Sequence, residues 1–293
     1  MTSASKNSAV NIRRITLIGF SGNLFLSAIK FVLGWVGSSQ ALIADAVHSL
    51  SDISTDMAIL FGSYYWSAPA DDSHPYGHGR IEALIAAFIG FVLLGVALGI
   101  GYHAVLSVQD NQHQSPKIIA FWGAVISIIL KEILYHWTLF VGKKESSSAL
   151  IANAWHHRTD ALSSIPVAAA VIIAAFYPQW AFIDSIGAAI VSIFILQASY
   201  KILKSAFEEL ADGGGPEDLK CKIKEHCQAI DGVKEVHAIR TRKFGSGFHV
   251  DLHVLVDGSL TIQAGHLIAE KAKTSLMHNS LGIIDVITHI EPY

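Results

Sequence analysis

Apolar residues fill the first two-thirds of the chain in long blocks, broken by short polar or Pro/Gly-containing links. A helix needs about twenty such residues to cross a bilayer core. Six blocks meet that length: Ile15–Val36, Ala41–Trp66, Ile81–Leu106, Ile118–Phe140, Ala149–Phe176 and Trp180–Ile202. After about Leu203 charge returns and the periodicity changes. Gly213-Gly214-Gly215-Pro216 ends one helix and starts another, with Pro in the first turn, and a helical pattern runs on to about Ile230. Two runs of alternating residues follow, Lys234–Arg242 and Phe248–Val256, separated by the turn signal Gly245-Ser246-Gly247. A helix over Ile262–His278 and a strand over Ile283–Glu291 complete an αββαβ order. The pattern predicts an all-α six-helix membrane domain over 15–204. A cytoplasmic tail over 1–14 precedes it, and a small two-layer α+β domain over 205–293 follows.

Composition supports that division. Only 15% of the residues are charged, against roughly a quarter in a soluble domain. Mean hydropathy is +0.43. The formal charge of −3 argues against nucleic acid or another polyanion as partner. The first apolar block is too long for a removable signal peptide and lacks a small-residue cleavage site. Basic residues fall on one set of links: Lys6, Arg13 and Arg14, then Arg80, then Lys143 and Lys144, then Lys201 and Lys204. The alternate links hold almost none. The positive-inside rule therefore places both termini in the cytoplasm. In that compartment Cys221 and Cys227 are read as unpaired structural thiols.

Ionisable side chains within an apolar span are costly and call for a partner, a cavity or a function. His48 and Asp52 lie one helical turn apart on one face, with Asp45 nearly in line behind them. His156 and Asp160 repeat the i, i+4 spacing in the fifth block. Two such helices offer two nitrogens and two carboxylates to one divalent ion. With Zn²⁺ and neutral imidazoles the charges sum to zero, whereas the empty site leaves two carboxylates that draw protons or water. Metal and protons thus compete for the same groups. Helix-knitting hydrogen bonds would explain one such pair more readily than two matched ones. His157 is the poorer match to Asp160, at i+3, and Arg158 points away from that face.

Three further clusters stand out. Asp71-Asp72-Ser73-His74-Pro75-Tyr76-Gly77-His78 packs carboxylates and histidines into one short link, where a solvated loop is the plainer account. His237, His253, His266, His289 and Glu291 come from different predicted elements, so only the fold can bring them together. His249 and Asp251 share a strand face with His253. In the fourth block Lys131, Glu132, Tyr135 and His136 form a polar patch. Lys131–Glu132 neutralisation and a Glu132–His136 relay are both open there.

The motifs SSQALIADAVHSLSD (Ser38–Asp52), PADDSHPYGHGR (Pro69–Arg80) and AWHHRTDALSS (Ala154–Ser164) stand in this order along the chain. Together they resemble the cation diffusion facilitator family over essentially the whole chain. The resemblance implies a homodimeric divalent-metal exporter, a secondary active transporter rather than an enzyme, exchanging metal for protons by alternating access. It places the intramembrane transport site at His48, Asp52, His156 and Asp160, in the version associated with zinc. It places a loop site at Asp71, His74 and His78, and an Arg80–Asp212 pair near the membrane surface. Regulatory sites fall at His237, His253, His266, His289 and Glu291 of a metallochaperone-like tail, with Glu291 standing where Asp is usual. Asp45 and Asp56 extend the intramembrane carboxylate stripe.

The expected activity is Zn²⁺ export from the cytoplasm in exchange for protons, with Zn²⁺ also the regulatory ligand. Fe²⁺, Mn²⁺, Cd²⁺ and Co²⁺ remain open as cargo, because nitrogen/oxygen sites rank metals largely by geometry. An intramembrane metallohydrolase would need an open metal position and a base, as in His-Glu-x-x-His, and no such motif occurs. A metal sensor without transport would not need the membrane tetrad.

Overall fold

The computed structural model describes residues 3–51, 53, 68–109, 115–144, 148–245, 247–279 and 281–293. Asp52, Asp56 and Ser246 therefore lie outside the described residues, as does most of the second predicted span. The chain divides into two compact units. One contains the described residues of Met1–Met57 and Ile89–Lys201, the other those of Ala58–Phe88 and Ile202–Tyr293.

The long helices are α1 (Ser3–Val36), α3 (Arg80–Gln109), α4 (Ile118–Lys144), α5 (Ser148–Phe176) and α6 (Phe182–Leu210). Helix α2 is described over 40–51 and at 53. Among the described residues, five helices are long and apolar enough to cross a membrane. Large side chains such as Phe25, Trp35, Phe88 and Phe140 are exposed, while the interior is lined by Ala41, Ala44, Ala97, Ala120, Ala124 and Ala154. Lipid provides no hydrophobic drive between helices, so small residues that admit close backbone approach make the contacts. At Gly123 of α4, a Cβ would lie 2.9 Å from Leu42 and 3.1 Å from Leu33, so α1, α2 and α4 meet only because that atom is missing. Helix α4 packs along both α5 and α1.

The N-terminus of α2 is fixed by Asp184 of α6. Its Oδ1 accepts from Ser39 Oγ at 2.6 Å, and its Oδ2 accepts from the Gln40 backbone N–H at 2.6 Å. Ser39 Oγ in turn accepts from Leu42 N–H at 3.1 Å. Unpaired N–H groups and the positive end of a helix dipole suit a carboxylate there.

In the tail, α7 (Glu217–Gln228) and α8 (Ile262–Met277) accompany a sheet of β1 (Glu235–Phe244), β2 (Gly247–Val256) and β3 (Ile283–Pro292). The strand order is β1-β2-β3, with β1 antiparallel and β3 parallel to the central strand. Alternation on β2 decides which side faces inward. Val250, Leu252, Val254 and Val256 enter a core with Leu219, Ile223, Cys227, Ala272 and Leu276. His249, Asp251, His253 and Leu255 take the opposite face. Thr261 caps α8 by accepting from Ala264 N–H at 3.2 Å. The αββαβ order expected from the pattern is the order observed.

Candidate metal centre

Residues of the expected membrane tetrad sit on α2 and α5. On α5, His156 and Asp160 come together across one turn, with Nδ1 of His156 3.8 Å from Oδ1 of Asp160. That separation is too long for a hydrogen bond. His156 is half-exposed, whereas Asp160 is buried. On α2, Nδ1 of His48 is buried without a hydrogen-bond partner among the described residues. Asp52, the fourth expected ligand, lies outside the described residues. His157 is buried in the bundle with neither ring nitrogen bonded among the described residues, and Nε2 lies against Gly19 of α1.

Two buried lysines enter this polar interior. Lys30 of α1 contacts Asp45 at 2.8 Å and donates to Ser49 and Ser164, each at 3.1 Å. Ser164 Oγ also lies within 3.2 Å of both Asp45 oxygens. All three N–H donors of Lys30 thereby have partners. Lys131 of α4 reaches Oδ2 of Asp160 at 2.6 Å. Its partner is thus Asp160 and not the neighbouring Glu132, which lies 3.4 Å from His136 and 3.9 Å from Arg158. Adjacent residues on a helix point about 100° apart, so Lys131 faces inward while Glu132 stays half-exposed. The Arg158 guanidinium covers the Tyr135 ring at 4.7 Å and donates to its hydroxyl at 3.1 Å.

The loop cluster closes on itself. Asp71 Oδ1 accepts from the backbone N–H of Ser73 and His74 at 2.9 and 2.7 Å, an Asx-type turn. Those bonds, the His74 N–H foremost, hold the Asp71 carboxyl below its usual range despite some desolvation. Nδ1 of His74 and Nε2 of His78 each lie 3.4 Å from an Asp71 oxygen. One donor atom from each of the three residues falls within a 4.8 Å span. Gly77, at φ +85°, supplies the left-handed turn that folds His78 back. Arg80 pairs with Asp212, and Tyr76 lies beneath the Arg242 guanidinium at 5.7 Å.

In the tail, cross-strand register aligns three imidazoles. His237 opposes His253, and His253 opposes His289. Their rings lie 5.2 and 4.9 Å apart. A β-bulge follows His237, with Ala238 at φ +48°. Glu291, two residues beyond His289 on the same strand face, spans the row. Its oxygens lie 3.0 Å from His237 Nε2, 2.8 Å from His253 Nδ1 and 3.6 Å from His289 Nε2. Desolvation pushes its carboxyl up, but hydrogen bonds and charge from His253 and His237 outweigh that and leave it lowered. Such a nitrogen/oxygen set suits a borderline divalent ion. His266 is elsewhere, paired with Glu270 on α8 at 3.2 Å. His249 packs on Phe244 at 4.6 Å, and burial with nearby Arg242 lowers its pKa.

Comparison with known proteins decides the family. The cation efflux transmembrane domain matches residues 16–211, and the cytoplasmic domain of cation efflux proteins matches residues 216–293. The chain belongs to the cation efflux family. An uncharacterized transporter of Methanocaldococcus jannaschii is 35% identical over 90% of this chain and 93% of its own length. The manganese efflux system protein MneP of Bacillus subtilis is 32% identical, with 96% of each covered. The magnetosome protein MamM of Paramagnetospirillum magneticum is 29% identical over 90% of this chain and 83% of its own. As a cation efflux protein this chain is a multi-pass membrane transporter of metal ions.

Sequence reasoning did not single out Lys30 and assigned no role to Asp184. The signal was present for both. A lone lysine in an apolar helix needs a buried counter-charge, and an acidic residue near a span end suits a neighbouring helix N-terminus. Neither rule names the partner.

Proposed function

We propose that this cation efflux protein exports Zn²⁺ from the cytoplasm in exchange for protons, as a homodimer with both termini cytoplasmic. His48, Asp52, His156 and Asp160 bind the cargo. One observation supports this most directly: Asp160, buried in an apolar bundle, turns toward a histidine on its own helix an oxygen that accepts no hydrogen bond among the described residues. Two imidazoles with two carboxylates favour Zn²⁺ over Mn²⁺ in intrinsic affinity. Protons compete for the same atoms, so a proton supply on the far side would drive release. The domain boundaries follow the sequence division, with transport in 15–204 and regulation in 205–293. Asp71, His74 and His78 form a loop site, and His237, His253, His289 and Glu291 a regulatory site in which metal would replace the Glu291 hydrogen bonds. His266, paired with Glu270, stands outside that site.

A second reading takes Mn²⁺ as cargo and is favoured by the similarity to MneP. Cells stripped of their own exporters separate the two. Expression of the chain should lower cytoplasmic Zn²⁺, and Asp160→Ala should not. A fall in Mn²⁺ alone would make Mn²⁺ the cargo, and no change in either metal would overturn the export reading.

A further inference from the structure

The two carboxylate oxygens of Asp160 have different surroundings. Oδ2 lies 2.6 Å from the Lys131 ammonium, whereas Oδ1 faces His156 Nδ1 at 3.8 Å without bonding to it. Both ends of the ion pair are nearly sealed from solvent, with side-chain exposures of 2% and 8%. Lys30 provides the contrast. Its ammonium has Asp45, Ser49 and Ser164 as partners. Among the described residues, Asp160 is the partner found for Lys131. Lys30 thus has a partner for each of its three N–H donors, whereas among the described residues Lys131 has one partner and Asp160 Oδ1 accepts no hydrogen bond.

We propose that Lys131 is a positioning residue of the transport site that also sets its affinity. It holds Oδ2, so Oδ1 is presented to the cargo on the His156 side, and its charge balances the empty and loaded states. The inference rests on His48, Asp52, His156 and Asp160 being that site. With neutral imidazoles, Asp52 and Asp160 alone give −2 when empty and zero with a divalent ion. The cost of burying charge grows as its square, so such a site strongly favours the loaded state and releases metal slowly. Adding Lys131 changes the counts to −1 and +1. The two states then carry similar burial costs, which suits a carrier that must return empty. A neighbour that orients one ligand oxygen by bonding the other is the usual arrangement around metal ligands.

The test compares wild type, Lys131→Gln, Lys131→Arg and Asp160→Ala as full-length protein. Zn²⁺ binding is measured in detergent and saturable Zn²⁺ flux in proteoliposomes. Asp160→Ala identifies the binding step that belongs to the membrane site. Gln retains a donor to Oδ2 without the charge, so that step should tighten by about tenfold or more, as expected for a charge a few ångströms from a divalent ion. KM and kcat should fall together. Arg retains the charge and should restore wild-type behaviour to within about threefold. Unchanged or weakened binding in Lys131→Gln would overturn the inference. Should Gln destabilise the fold, Lys131→Met reads the same loss of charge. If Asp160→Ala removes no binding step, the site reading itself fails and this inference falls with it.

Discussion

Lys30 and Asp45 lie 2.8 Å apart with side-chain exposures of 0% and 2%, linking α1 to α2 inside an apolar bundle. Breaking such a pair strands a buried charge, which costs about 3–5 kcal/mol, whereas replacing both partners with apolar groups is often neutral. Lys30→Met should therefore lower the thermal stability of the detergent-solubilised protein substantially. Adding Asp45→Leu should recover most of the loss. Equal damage from the single and double variants would contradict the assignment of this pair as structural.

The tail separates two classes of histidine. His253 occupies the middle of the imidazole row and contacts Glu291, while His266 faces outward from α8. His253→Ala should weaken Zn²⁺ binding to the tail by on the order of a hundredfold, comparable to or beyond the loss of a supporting contact. His266→Ala should change it little. Calorimetric titration checks both, with the loop and membrane sites as internal references. A large effect at His266 would place that residue in a site completed by a second subunit.

Arg80 and Asp212 form an ion pair that is 40% and 53% exposed. Solvent screening limits a pair of that exposure to roughly 1 kcal/mol or less. Arg80→Ala should scarcely move the melting temperature. A shift equivalent to several kcal/mol would mean that the pair is buried in the working assembly.

The two thiols should differ in reactivity. Cys227 is buried in the tail core, and burial pushes its pKa up to about 11, while Cys221 is exposed. A raised thiol pKa removes thiolate below it, leaving about one part in a thousand at pH 8. Iodoacetamide should label Cys221 alone at that pH, read by mass spectrometry. Rapid labelling of both would contradict the packing of α7 on the sheet.

The tail was largely legible because its signals are local. Period-two alternation over Phe248–Val256 marks β2, and Gly245 and Gly247 mark the turn. The histidine row was legible only as a list of residues, since the register that aligns His237, His253 and His289 is set by strand pairing. In the membrane unit, i, i+4 spacing placed His156 beside Asp160, a relationship confined to one helix. The Lys131–Asp160 pair joins residues 29 positions apart in sequence on two different helices. Local reasoning offered Lys131 only the adjacent Glu132, as one of two open accounts, although successive helical side chains diverge.

Gradient-driven metal flux in proteoliposomes tests the central claim most directly. With an imposed pH gradient, wild-type protein should accumulate Zn²⁺ and dissipate the gradient in step, recorded by metal- and pH-sensitive dyes. Asp52→Ala and Asp160→Ala should abolish both signals. Zn²⁺ flux that persists in both variants, or that leaves the proton gradient untouched, would contradict the account.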